Sequence, residues 1–454
     1  MSAPDLVIRS RRVAGPRGVG PASVHIRNGR IDKMGEFDDV PEGCPLVDAG
    51  NSVVMPGVVD SHVHINEPGR TEWEGFETAT RAAAAGGVTT LVDMPLNSIP
   101  PTTSVRNLLV KAEAAEGRLW VDVGLWGGAV SGNAKDLRPM IAEGALGFKC
   151  FLIESGVPEF SHVTAPELEE AMLKLRGTDA PLLVHAELPG PIEDAKPSIA
   201  DADPASYRTY VHSRPKSAED RAIELLYTLC KSIRARTHVV HLSSSGALET
   251  MRRALDESLP MTAETTPHYL HFEAETVPRG ATQYKCAPPI RERENREALW
   301  GALGEGLIKM VVSDHSPCPP SMKRLDDGRF DEAWGGISSL ELALPVTWSE
   351  AKKRGRSLED LVGWMCRAPA ALAGLDRRKG SLAPGFDADV TVWNPEAPFK
   401  VDPARLHHRH KLTPYAGEML HGTVEMTFLR GQMIYDGGGH QSKPTGRWLK
   451  RDDR

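Results

Sequence analysis

The chain has 454 residues, 40% hydrophobic and 25% charged, enough apolar material for a large core and too much for a disordered chain. Its net charge of −7 comes without a basic stripe or tail, so neither nucleic acid nor an anionic membrane is expected as a partner. No run reaches the roughly 18 apolar residues of a membrane span, and MSAPDLVIRSRRVAGPRG lacks the apolar stretch of a secretory signal, so a cytoplasmic protein is expected.

In chain order, residues 1–54 read first as short antiparallel strands, DLVIRSRRV and then ASVHIRNGRIDKMG. The stretch near 379–436 reads the same way, with KGSLAPGFDADVTVWNP and VEMTFLRGQMIYDGGG. Residues 1–54 and 376–454 are therefore expected to form one small β-sandwich domain from both termini. Between them, over 55–375, short apolar runs alternate with helical stretches such as EGFETATRAAAAGG and SAEDRAIELLYTLCKSI. The runs are MPGVVDS (55–61), VTTLVDM (88–94), LWVDVGL (119–125), LGFKCFL (146–152), PLLVHA (181–186), THVVHL (237–242), a weak PMTAE (260–264) and IKMVVSD (308–314). Eight such runs predict an α/β fold of the (β/α)8 barrel type. A doubly wound open sheet would carry a Gly-rich phosphate turn after its first strand, and no G-x-G-x-x-G stands there. The six cysteines, Cys44, Cys150, Cys230, Cys286, Cys318 and Cys366, are scattered without a C-x-x-C pair and read as reduced, packed thiols.

The C-terminal ends of barrel strands converge on one place. The runs put Asp60, His62 and His64 there in DSHVH, then Lys149, His185, His241 and Asp314. In an extended segment residues two apart face one side, so His62 and His64 can address one divalent ion. His185, His241 and Asp314 at matching strand ends strengthen that reading. His268, beyond the weak seventh run, is more simply structural, and His238 is expected on the opposite face of its strand from His241. Lys149 is the misfit, because a lone buried ammonium is costly. A snorkelling side chain is the plain explanation. The alternative is a lysine converted by carbon dioxide to a carbamate, an anion with two oxygens that could bridge two metals.

VMPGVVDSHVH, GFKCF, LLVHAE, VVHLSS, VVSDHSP and GSLAPGFDADVTVW resemble the cyclic amidohydrolases, the family of dihydroorotases, hydantoinases and allantoinases. The resemblance spans essentially the whole chain. It implies a distorted (β/α)8 barrel with a composite β-sandwich and a binuclear site bridged by an N6-carboxylated lysine. His62, His64, Lys149 and Asp314 would hold one metal, and Lys149, His185 and His241 the other. Zinc is the expected metal, with cobalt, nickel and manganese suited to the same donors. The implied reaction is attack of a metal-bridging hydroxide on a ring carbonyl, with Asp314 as ligand and general base. A homotetramer is also implied. A catalytically dead scaffold on the same barrel would have lost ligands, and here all six positions are filled.

The ring is read from the loops. Dihydroorotases place an arginine two residues beyond the second histidine, and Asn66 stands there. Hydantoinases carry a tyrosine shortly after the lysine, whereas this chain has CFLIESGVPEF. HINEPGRTEWEG, MPLNSIPPTT, KCAPPIR and AWGGISSLELALP resemble the allantoinase branch instead, whose small-molecule substrate, allantoin, is a neutral, ureido-substituted hydantoin opened to allantoate in purine breakdown. A hydantoinase or dihydropyrimidinase is the second reading. By motif position, Asn97, Ser155, Ala287, Gly335 and Ser338 are the expected substrate contacts.

Overall fold

The computed structural model describes residues 3–441 and 443–451. All eight apolar runs form barrel strands: Val58–Val63, Val88–Asp93, Asp122–Leu125, Phe148–Phe151, Leu182–His185, Thr237–Val239, Met261–Thr265 and Met310–Val311. Adjacent strands are parallel wherever they pair. The ring closes through a bridge between Val63 and His315. Asp60 strengthens that seam, its carboxylate accepting from the backbone N–H of Ser313 and of His62 at 3.2 Å each. Asp60 thus ties the first strand to the eighth rather than facing the site.

The barrel is distorted at its third strand. Asp122–Leu125 pairs with the second strand, but Gly127–Gly128 pairs with the fourth. Trp126, between them, turns its indole N–H to the Ser61 carbonyl at 2.8 Å. Glycine is required at 127, where an added Cβ would lie 2.6 Å from the Phe148 ring. Here the fourth strand sits close against the break.

The terminal segments form one eight-stranded sheet. Val53–Pro56 pairs antiparallel with Val390–Lys400 and parallel with Leu6–Gly15, so both ends of the chain meet in the strand that leads into the barrel. A separate apolar cluster, including Ile8, Val24, Val54, Val390 and Phe428, packs on this sheet. The last described strand, Trp448–Leu449, leaves it and pairs with the third barrel strand. Among the described residues no helix is long and apolar enough to cross a membrane.

Candidate metal centre

At the C-terminal mouth of the barrel the residues marked in the sequence come together. His62, His64 and Asp314 offer ligand atoms within 4.8 Å of one another. His62 Nε2 is 3.2 Å and His64 Nε2 is 3.7 Å from Asp314 Oδ1. His185 Nδ1 lies 3.1 Å from His241 Nε2, and the His62 and His241 rings are 5.4 Å apart. Lys149, His185, Ser155, Ala287 and Gly335 line the same cavity, of about 440 Å³.

Two of these residues are held by unusual backbone. His241 (φ 38°) and Asp314 (φ 46°) both lie in the left-handed region. Non-glycine residues occupy it at a cost of about 1–3 kcal/mol, and such strain gathers at functional sites. The chain leaves its strand at these points, which turns each side chain across the mouth.

Electrostatics fit metal ligation. Burial pushes His64 and His241 well below the ordinary histidine value and His185 down to about 4. The neutral imidazole that results is the form that binds metals. Burial likewise raises the Asp314 carboxyl, with His62 and Lys149 acting against it. Lys149 is 1% exposed and its Nζ has no hydrogen-bond partner. Burial lowers its ammonium to about 8. An unpartnered amine amid four imidazoles and one carboxylate fits a group that becomes an anionic bridge, and this donor set fits two divalent ions.

A carboxylate with no motif of its own orients these histidines. Glu264, at the end of the seventh strand, takes His62 Nδ1 at 2.5 Å and His238 Nε2 at 3.0 Å. His238, expected to face away, instead joins this buried network, its other nitrogen 2.7 Å from Thr262 Oγ1. Burial would raise the Glu264 carboxyl, but the two histidines hold it well below the usual range. His268 is buried with neither ring nitrogen bonded, and burial lowers it to about 3.

The expected substrate contacts divide. Ser155, Ala287 and Gly335 are on the cavity wall. The Ser155 hydroxyl donates to the Val157 and Phe160 carbonyls at 3.1 and 2.6 Å and so shapes its own loop. The loop carrying Gly335 is pinned by Lys285, itself on the cavity wall, which donates to the Ala333 carbonyl at 2.6 Å, and by the buried Lys323, which donates to that of Trp334 at 3.0 Å. Asn97 and Ser338 do not line the cavity. Asn97 donates to the Asn66 side chain at 3.0 Å, and the Ser338 carbonyl accepts from Thr413 at 2.7 Å. Both buttress the loops above the mouth.

A closed barrel with these ligands at its mouth defines a metal-dependent hydrolase, and residues 53–434 match the profile of the amidohydrolase family. The chain belongs to that family. It is 49% identical over 453 residues to an allantoinase of Streptomyces avermitilis, covering 100% of both chains. It is also 49% identical over 370 residues to a mitochondrial allantoinase of Aquarana catesbeiana, covering 81% of this chain and 76% of that one. Among solved structures, the L-hydantoinase (dihydropyrimidinase) from Arthrobacter aurescens superposes with a TM-score of 0.94 at 32% identity, covering 98% of this chain and 100% of that one.

Proposed function

We propose that this chain opens the hydantoin ring of allantoin by hydrolysis, giving allantoate. The observation that carries the reading is the four-histidine, one-aspartate cluster around an unpartnered buried lysine, on a chain alike over its whole length to an allantoinase. His62, His64, Asp314 and an N6-carboxylated Lys149 would hold one divalent ion, and His185, His241 and the same Lys149 would hold the second. Zinc suits these donors, as do cobalt, nickel and manganese. When bound, such ions lower the pKa of water and polarise a carbonyl oxygen.

The chain's own residues do the rest. Asp314, raised by burial and aimed into the cavity, accepts the proton of the attacking water and delivers it to the departing ring nitrogen. The walls at Ser155, Ala287 and Gly335 present backbone groups to the ring's amides. Asn97 and Ser338 act from behind, by holding the loops. Residues 55–375 are the hydrolytic unit, and 1–54 with 376–454 its β-sandwich companion, except that Met55–Pro56 complete the terminal sheet and Trp448–Leu449 join the barrel. The active species is a cytoplasmic homotetramer.

The test is a paired assay of the metal-loaded protein on allantoin and on unsubstituted hydantoin, following ring opening. Turnover of allantoin well above hydantoin is expected. Robust hydantoin turnover with none on allantoin would reverse the choice in favour of the hydantoinase reading.

A further inference from the structure

Arg214 is a charged group on the cavity wall to which the reading above gives no role. It follows the helix Tyr207–Ser213. Its Nε and Nη2 form a fork on the two oxygens of Glu187, at 3.0 and 2.6 Å. Glu187 is fully buried and stands two residues beyond His185. Its Oε2 also meets His185 Nε2, at 2.7 Å.

A carboxylate only accepts hydrogen bonds, so this contact places the proton of His185 on Nε2 and leaves a lone pair on Nδ1. Nδ1 is the atom that faces His241 Nε2 across 3.1 Å. Two imidazole nitrogens can face each other this way as a hydrogen-bonded pair or as two ligands of one ion. The proton's position decides between them. A proton on Nδ1 would point into the gap and block it. The fork matters because a bidentate guanidinium fixes the carboxylate plane, which aims Oε2 at the ring.

We infer that Arg214 and Glu187 are positioning residues for the second metal: Arg214 holds Glu187, and Glu187 holds the proton on His185 Nε2, so that Nδ1 stays open to the ion. This rests on the two-metal reading of the site. No counterpart acts on the first metal through the same residues, because His62 has its own carboxylate in Glu264. The effect should therefore fall on one ion only.

The test is zinc and cobalt titration of the metal-free full chain, in wild type, Arg214→Met, Arg214→Lys and Glu187→Gln, with thermal unfolding of each. In Arg214→Met and Glu187→Gln, one of two ions is expected to bind about 10–100-fold more weakly and the other unchanged. The visible cobalt spectrum should change at the second equivalent and not at the first. Arg214→Lys, which keeps the charge but loses the fork, should fall between. Wild-type affinity for both ions in Glu187→Gln and Arg214→Lys overturns the inference, whether or not Arg214→Met folds. Equal weakening of both ions with a lowered Tm also overturns it, since the pair is then scaffolding. A wild type that binds fewer than two ions overturns the two-metal reading itself, a result distinct from either.

Discussion

Two lysines of this chain are almost equally buried, Lys149 at 1% and Lys379 at 2% exposure, and their surroundings are opposite. The Lys379 ammonium sits among three carboxylates, 2.7 Å from Asp122, 2.6 Å from Asp389 and 3.0 Å from Asp387. Burial works against its charge, but Asp389, Asp122 and Asp387 outweigh it and hold the group above the ordinary lysine value. Arg430 adds a second cation on Asp122, so the cluster bonds the third barrel strand to the terminal sheet. Lys149 Nζ makes no hydrogen bond, with the Phe151 ring 4.8 Å away, and burial carries it down to about 8 against the weaker pull of Glu264 and Asp314. The difference teaches what a buried lysine is for. Where carboxylates surround it, it stays charged and joins two parts of the fold. Where they do not, its neutral amine is within reach near neutral pH, and the neutral amine is the form that reacts with carbon dioxide.

The comparison breaks most visibly at Lys149. Lys149→Ala should lower kcat/KM by roughly 10³-fold or more, because on the proposed reading the carbamate that would hold both ions goes with it. Metal content should fall with it, and a small carboxylic acid added to the assay should restore part of both. Full metal content and activity in Lys149→Ala would leave the lysine no special role. Asp314→Asn comes next, with turnover expected to fall by roughly 10²–10⁴-fold from loss of the proton carrier. Near-normal turnover with both metals retained would end the base assignment.

Lys379→Met should act on stability alone. It leaves Asp122, Asp387 and Asp389 buried with less countercharge, and removing one partner of a buried pair costs about 3–5 kcal/mol. Urea unfolding should show the loss, while turnover per folded molecule stays at the wild-type level. The pH dependence has a definite sign. The folded lysine titrates above its unfolded value of about 10.4, so its contribution is complete below that value and is lost as pH rises through the folded one. The gap between wild type and variant should therefore be widest below about pH 10 and narrow above it. A gap that grows with alkalinity would contradict the pairing.

Lys149 stood out in the sequence as a charge in the middle of ALGFKCFLI, but snorkelling explained it equally well there, and only the fold, which leaves it 1% exposed, removes that explanation. The eight strands were legible as apolar runs, even PMTAE, and their ends carry the residues that meet at the mouth. Glu264 was not, although it closes the seventh run at the level of His62; a carboxylate whose work is to orient another side chain leaves no spacing of its own. Glu187 was hidden in the same way inside LLVHAE. Its partner, Arg214, is 27 residues away, and only the fold joins them. The return of Trp448–Leu449 to the barrel also had no signal, since a two-residue strand has no period. Asn97 and Ser338 were placed by motif, and their hydrogen bonds to Asn66 and Thr413 join segments that only the fold brings together.

The smallest effect is expected at a third lysine. Lys196 pairs with Glu193 at 2.6 Å, the same distance that separates Lys379 from Asp389. Its side chain is 64% exposed and that of Glu193 61%. Water screens this pair and already solvates both charges, so closing the contact adds little and losing it removes little. Lys196→Ala should leave the urea midpoint, the metal stoichiometry and kcat/KM indistinguishable from wild type. A measurable loss there would mean that contact distance, rather than removal from water, sets what a lysine contributes in this chain. Lys379 would then differ from Lys196 only in its number of partners, and the contrast with Lys149 would rest on pairing alone.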